Sequence, residues 1–334
     1  MATTGYRVLA PQDLGKDLLA RQFALDVLNG LQESPKRIPS RWFYDDEGSR
    51  IFQEICDLPE YYLTRAETEI LERYAPAMMR RASGDALDVV DLGAGDGRKT
   101  GIVLQAALAH ARDVQYVPID ISEGAMAGLV AQMGTQFPQL HISGIVGDYA
   151  DALHYFSRGK TRPTLALFLG SNIGNFDYPA ARLFLRDMWE GLNHGDLLLV
   201  GFDRKKDISR LLAAYADPKG VTARFDLNVL ARINRELGGE FDLKRFDYHC
   251  VYNPVLGAIE AYLVSRERQS VRVAALGRAF EFEAWEPIHL EYSFKYNPTD
   301  VHHLARATGY EVVSEFTDSH EHFIDSLWRV RKHG

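Results

Sequence analysis

A chain of 334 residues, 46% hydrophobic and 25% charged, has material for one large domain or two of ordinary size and reads as globular. Its formal net charge of −8 argues against a general affinity for nucleic-acid phosphates or anionic membrane, and two distant cysteines, Cys56 and Cys250, form neither a Cys-x-x-Cys site nor a disulfide framework. No apolar run approaches the roughly 18 residues of a membrane helix and the opening stretch lacks a signal-peptide core, so a cytoplasmic protein is expected.

Residues 86 to 203 alternate short apolar strands with amphipathic helices, the rhythm of a doubly wound parallel sheet. The pattern predicts a strand over 87–92, a helix over 99–111, a strand over 114–119 ending in Asp120, and a helix near 123–133. A third strand, 142–146, ends in Gly147-Asp148-Tyr149, and a fourth, 165–169, ends in Gly170-Ser171-Asn172-Ile173-Gly174-Asn175. A helix over 180–192 and a fifth strand over 197–202 complete the run. Residues 206–245 read as helical up to Gly238-Gly239, residues 246–295 as antiparallel sheet, and the tail as a helix over 300–308 followed by strands over 310–315 and 323–330.

The turn after the first strand carries the chemistry. Asp91-Leu92-Gly93-Ala94-Gly95-Asp96-Gly97 stops a buried strand on three glycines at alternate positions, where backbone N–H groups can approach a nucleotide-like ligand without Cβ interference. The NAD fingerprint Gly-x-Gly-x-x-Gly needs its third glycine one residue later. The form present resembles the turn of S-adenosylmethionine-dependent methyltransferases, whose class I sheets also end in an antiparallel strand pair. The expected fold class is therefore α/β, a class I (Rossmann-like) methyltransferase sheet with a second α+β substrate-binding domain. Residues 65–205 and 295–334 would form the cofactor domain, and 1–64 with 206–294 the substrate domain.

Asp120 at a strand end can accept from ribose hydroxyls, and Asp148 from an adenine amino group with Tyr149 beside the ring. Each acid alone would equally serve as a helix cap or turn residue. Four ligand-capable strand ends at one sheet edge are better explained by one bound ligand. Near the end of the antiparallel region, alternation over 288–296 sets Leu290, Tyr292 and Phe294 on one face and Glu291, Ser293 and Lys295 on the other. That polar face is either solvated or holds a ring bearing N–H groups. Pro59-Glu60-Tyr61-Tyr62 reads as a packed loop or a substrate-orienting lid. His320-Glu321-His322 lacks a partner cluster and no His-Glu-x-x-His occurs, so no metal is expected. Gly-x-Ser-x-Gly is missing as well, so no nucleophile elbow is signalled.

Several segments together resemble the histidine Nα-methyltransferases of ergothioneine biosynthesis: Arg41-Trp42-Phe43-Tyr44-Asp45-Asp46, Leu58-Pro59-Glu60-Tyr61, Phe168-Leu169-Gly170-Ser171-Asn172-Ile173-Gly174-Asn175, Ala214-Tyr215, Asn228-Val229-Leu230 and Glu291-Tyr292-Ser293-Phe294-Lys295. The likeness runs in one order from about residue 20 to the C-terminus. It implies methyl transfer from S-adenosylmethionine to the α-amino group of L-histidine, up to the trimethylated betaine hercynine. It also implies roles. Asn175 and Tyr215 would bind the substrate carboxylate, Glu291 and Ser293 the imidazole, Tyr61 the ring side, and Tyr44 would sit by the amine, which Gly170 borders. Tyr44 and Asn175 are the catalytic candidates. Gly93, Gly95, Lys99, Asp120, Asp148 and Tyr149 would contact the cofactor.

Two positions depart from the pattern: Ala261 stands where methionine lines the pocket, and Asn172 where threonine is common. A wider pocket could admit a bulkier aromatic amino acid such as tryptophan, although Glu291 and Ser293 favour histidine. A cofactor-binding protein without catalysis is a further reading. A nucleic-acid methyltransferase is disfavoured by the charge and by the missing Asn/Asp-Pro-Pro-aromatic sequence. The expected partner is a small amino acid, with no nucleic acid and no membrane, bound by a monomer.

Overall fold

The computed structural model describes residues 4–9, 15–82, 84–158 and 160–332. The chain divides into two compact units: Met1–Leu9, Leu63–Lys205 and Lys295–Gly334 form the first, and Ala10–Tyr62 with Lys206–Phe294 the second.

The first unit is built on an eight-stranded sheet in the order Thr4–Val8, His141–Val146, Asp113–Asp120, Ala86–Leu92, Thr164–Phe168, Leu197–Asp203, Phe323–Val330, Tyr310–Thr317. The first six run parallel, and Phe323–Val330 is antiparallel to both of its neighbours. This is the class I methyltransferase sheet with its reversed final strand. The central sequences ALDVVDL, TLALF and LLLVGFD are almost wholly buried and apolar without alternation, as strands covered on both faces by helices must be. Helices stand close to their predicted places at Arg98–His110, Glu123–Gln136, Tyr178–Gly191 and Pro298–Ala307. Two of them are fixed by side-chain caps: Ser122 accepts from the Ala125 N–H at 3.2 Å, and Asp177 from the Ala180 N–H at 2.8 Å.

Thr4–Val8 differs from expectation. The expected substrate domain takes in all of residues 1–64, yet this exposed strand extends the edge of the first unit's sheet beside His141–Val146. It has no buried face, so its sequence carries no amphipathic signal.

The second unit holds a four-stranded sheet ordered Lys36–Arg37, Pro287–Phe294, Ala258–Ser265, Phe246–Asn253, and a separate hairpin of Gln269–Val273 with Arg278–Phe282. Helices Asp46–Cys56, Ile208–Tyr215 and Val221–Leu237 belong to the same unit. Val221–Leu237 buries Phe225, Val229, Leu230 and Ile233, and its N-terminus is anchored by Asp217, which accepts from the Val221 and Thr222 N–H groups at 2.9 and 2.8 Å. Its C-cap is Gly238 at φ 61°, the stop predicted from Gly238-Gly239. A register shift between His289 and Glu291 breaks the simple alternation of the last strand at Leu290. Lys295 lies past the strand's end, within the first unit, where it pairs with Asp203 at 2.8 Å, both side chains being fully buried.

Candidate active site

In a parallel sheet the strands' carboxyl ends share one edge; three adjacent ends here carry the predicted cofactor residues, and a fourth carries Gly170 and Asn175. Ala86–Leu92 runs into Gly93, Gly95 and Gly97, all with positive φ. A Cβ on Gly93 would lie 2.7 Å from the Tyr149 hydroxyl, whereas nothing stands within 4 Å of one on Gly95. The left-handed backbone, with Tyr149 close by, favours glycine at 93, and the backbone at 95 faces open space that a ligand can occupy.

The acid of the motif serves the turn from below. Asp91 is 2% exposed, and its carboxylate accepts from Thr100 Oγ1 at 2.6 Å and from the Tyr116 hydroxyl at 3.1 Å. It ties the first turn of helix Arg98–His110 to the neighbouring strand. Burial pushes its pKa up to about 6, against the two hydroxyl donors.

Asp120 is half-buried at the next strand end and accepts from the Ser122 N–H at 2.9 Å; burial raises its pKa. Its carbonyl accepts from the Gly147 N–H at 3.0 Å, which joins it to the third strand end and the exposed Asp148. Tyr149 opens the following helix, its ring against Phe168 and Phe184 at 6.1 and 6.0 Å. Burial and the carboxylates of Asp120, Asp91 and Asp148 raise its pKa, so the phenol stays protonated.

At the fourth end Gly170 (φ 78°) and Ser171 (φ 58°) turn the chain into the 3-10 helix Asn172–Asn175. Ser171 Oγ accepts from the Asp203 N–H at 3.0 Å, and the Tyr296 hydroxyl donates to the Ile173 carbonyl at 3.2 Å, so the segment bearing Asn175 is held at both flanks. The Gly170 N–H donates to both oxygens of the fully buried Glu67, at 2.8 and 2.9 Å. Glu67 also pairs with Lys99. Lys99, expected at the cofactor, is thus bound to Glu67, its Nζ 3.3 Å from where a Gly170 Cβ would sit. Sequence reasoning missed Glu67, since nothing distinguishes it from Glu69 and Glu72 in the same helix, Tyr62–Met79.

These residues fit a nucleoside carrying an amino-acid tail. The open backbone at Gly95 can receive the chain, Asp120 can accept from ribose hydroxyls, and Asp148 with Tyr149 can meet the base. Among the described residues no group of three or more His, Cys, Asp or Glu is arranged to hold a metal, and no helix is long and apolar enough to cross a membrane.

The second unit gathers the predicted amino-acid contacts. The Tyr215 hydroxyl lies 2.7 Å from Ser293 Oγ, and Tyr215 is fixed in turn by the Tyr248 hydroxyl, which donates to its carbonyl at 2.8 Å. Tyr61 packs edge-on to Tyr215 at 6.2 Å and to Phe52 at 6.3 Å, while Tyr44 meets Phe52 and Phe225, each at 5.5 Å. Burial, with Tyr215, Cys56, Tyr44 and Glu291 around it, raises the Tyr61 pKa. The segment bearing Tyr44 is positioned by Asp45, which caps helix Asp46–Cys56 through the Gly48 N–H at 2.7 Å and accepts from Asn228 Nδ2 at 2.8 Å. Glu291 stands opposite Ala261 in the antiparallel ladder, and Ala261 opposite Cys250. Tyr44, Tyr61, Tyr215, Ala261, Glu291 and Ser293 thus belong to one unit, while Gly170 and Asn175 belong to the other. Tyr215 and Ser293, expected at opposite ends of the substrate, are hydrogen-bonded to each other.

A family profile described as histidine-specific methyltransferase, SAM-dependent, matches residues 23–330. The chain is 38% identical to a histidine N-alpha-methyltransferase of Mycobacterium tuberculosis over 312 residues, which span 93% of this chain and 96% of that one. A second histidine N-alpha-methyltransferase, from Mycolicibacterium smegmatis, is 39% identical over 86% of this chain and 88% of its own. Ergothioneine biosynthesis protein 1 of Schizosaccharomyces pombe is 31% identical over 88% of this chain, a match that covers 39% of that longer protein.

Proposed function

The chain belongs to the family of S-adenosylmethionine-dependent, histidine-specific methyltransferases, and from that membership we propose that it methylates the α-amino nitrogen of L-histidine, as far as the trimethylated betaine. One observation carries the reading: Glu291 and Ser293 follow each other on the same side of one strand, with Ser293 hydrogen-bonded to Tyr215 in a unit otherwise rich in aromatic rings. A carboxylate and a hydroxyl in such surroundings suit a small polar ring carrying an N–H. A ring without one would leave the acid unsatisfied, which selects against apolar side chains.

When bound, S-adenosylmethionine supplies a methyl group on a sulfonium. Gly93, Gly95, Lys99, Asp120, Asp148 and Tyr149 are the residues proposed to hold it. Asp91 and Glu67 act on the turns beneath, one fixing the glycine turn and the other the Gly170 N–H. Tyr44, Tyr61, Tyr215, Ala261, Glu291 and Ser293 are proposed to bind the amino acid, and Gly170 and Asn175 keep the roles at the amine and carboxylate that the resemblance implies. The chain's work is then orientation, which can lower a barrier by up to roughly 7–11 kcal/mol when the reacting atoms are aligned. An aromatic ring beside the amine, the place the resemblance gives Tyr44, suits a nitrogen that becomes a quaternary ammonium, such a cation–π contact being worth about 0.5–2 kcal/mol. Cysteine usage and charge suit a reducing cytoplasm.

The test is mass spectrometry of purified protein incubated with S-adenosylmethionine and a panel of free amino acids. Trimethylated histidine as the dominant product is expected. Methylation of another amino acid with histidine inert overturns the substrate, and no methylated product from any amino acid overturns the reaction.

A further inference from the structure

Helix Val221–Leu237 carries an acid that none of the roles above uses. Asp226 is fully buried, and neither of its carboxyl oxygens has a hydrogen-bond partner among the described residues. A buried carboxyl with nothing to bond is costly, and such groups persist where something else completes them.

Cys250, Ala261 and Glu291 form one row across three neighbouring strands. Asp226 acts electrostatically on both ends of that row, on Glu291 and on Cys250, and also on Tyr248. Helix Val221–Leu237 packs on strand Phe246–Asn253, which bears Cys250, and so brings the buried carboxyl near this row. Asp226 is buried while Glu291 is half-buried, and burial together with the charge of Glu291 drives the Asp226 pKa far above the usual carboxylate range.

We propose that Asp226 is a specificity-determining contact for the substrate ring, a neutral carboxylic acid that donates a hydrogen bond to the ring nitrogen lacking a proton while Glu291 accepts from the other. The inference rests on the reading that a histidine ring enters this unit. Its chemical basis is complementarity: a neutral imidazole has one N–H and one lone pair, and an acid pair sharing one proton offers one acceptor and one donor. The same arrangement discriminates against rings that have the N–H but no second nitrogen, because the Asp226 O–H would then stay unbonded.

The experiment compares wild type, Asp226→Asn and Asp226→Leu with two substrates, histidine and an analogue whose ring keeps the N–H but has carbon in place of the second nitrogen. Wild type should show a KM for the analogue at least about tenfold above that for histidine, the usual effect of one unmade buried hydrogen bond. Asp226→Leu should raise the histidine KM at least about tenfold, change kcat less than about threefold, and abolish the preference over the analogue. Asp226→Asn keeps an N–H donor and should restore the histidine KM to within about threefold of wild type. Calorimetry with S-adenosylhomocysteine reports whether each variant is folded. Should the leucine variant not fold, the wild-type substrate pair still decides, since equal KM values for the two rings overturn the proposal. An asparagine variant as impaired as leucine also overturns it. Wild type that yields no methylated histidine at all refutes the underlying reading and this inference together, whereas methylated histidine with an indifferent Asp226 refutes the inference alone.

Discussion

Replacing Asp91 by asparagine should stabilise the protein at neutral pH, although the residue lies in its most characteristic motif. The carboxyl is buried, and its pKa rises from an ordinary 3.8 to about 6 because burial outweighs the hydrogen bonds from Thr100 and Tyr116. A group that holds its proton more tightly in the folded state than in the unfolded one favours folding below its unfolded pKa. That contribution is lost as pH rises through the folded value, here between 3.8 and about 6. The gap amounts to about 3 kcal/mol against the native state at pH 7 and above. Asparagine keeps one oxygen for the two hydroxyl donors and carries no charge to desolvate, so most of the penalty should disappear.

The assay is urea unfolding of wild type and Asp91→Asn at pH 4.5, 5.5, 6.5 and 7.5, in which acids elsewhere cancel in the difference between the two proteins. Asparagine should be more stable by about 1–3 kcal/mol at pH 7.5, with the advantage shrinking towards zero at pH 4.5. A difference that does not vary with pH, or a variant less stable than wild type at pH 7.5, would refute the reasoning. Retention of a costly carboxylate in the native sequence would then need another explanation than a stability cost accepted for function.

Tyr215→Phe and Ser293→Ala should each raise the histidine KM, and the double variant should do no more harm than the worse single one, with a coupling of about 1 kcal/mol; additive effects would show that the two hydroxyls act separately. Lys295→Met should cost about 3–5 kcal/mol in thermal or urea unfolding by removing the cation beside the buried Asp203 carboxylate, and adding Asp203→Leu should recover at least half of it; a single variant as stable as wild type would contradict the burial of the pair. Gly93→Ala should lose about 1–2 kcal/mol from the left-handed backbone alone, with more from the Tyr149 hydroxyl. The loss should be smaller in a Tyr149→Phe background, and equal losses in both backgrounds would remove the contact from the account.

How far the chain could be read from its letters depended on whether a residue's role was local. The parallel strands were legible because a strand buried on both faces must be an apolar run, and its ending in glycine or aspartate marks the ligand edge. Glu291 and Ser293 were legible as a pair because residues two apart share a strand face, and their register holds past the irregularity at Leu290. Lys295, two further on, was misread because the strand ends at Phe294 and the lysine turns to Asp203. Thr4–Val8 was invisible for the opposite reason, since an edge strand with no buried face has no pattern to detect.

The acids divide in the same way. Asp120 and Asp148 announce themselves by standing at strand ends, but Glu67, Asp91 and Asp226 are defined by what the folded chain sets against them. Glu67 resembles any solvent-facing acid on a charged helix until the Gly170 N–H is found on it. Asp226 precedes Leu227 and Asn228 on a helix that exposes other polar residues, and only the burial of both its oxygens separates it from them. Burial reverses what an acidic letter means: on a surface it signifies solubility, but enclosed beside Glu291 it becomes a proton held ready for a ligand. The three-glycine turn therefore identifies the cofactor chemistry from sequence alone. Which amino acid is accepted would, on the proposal above, depend on acids whose importance appears only when a helix and strands far apart in the chain are brought together.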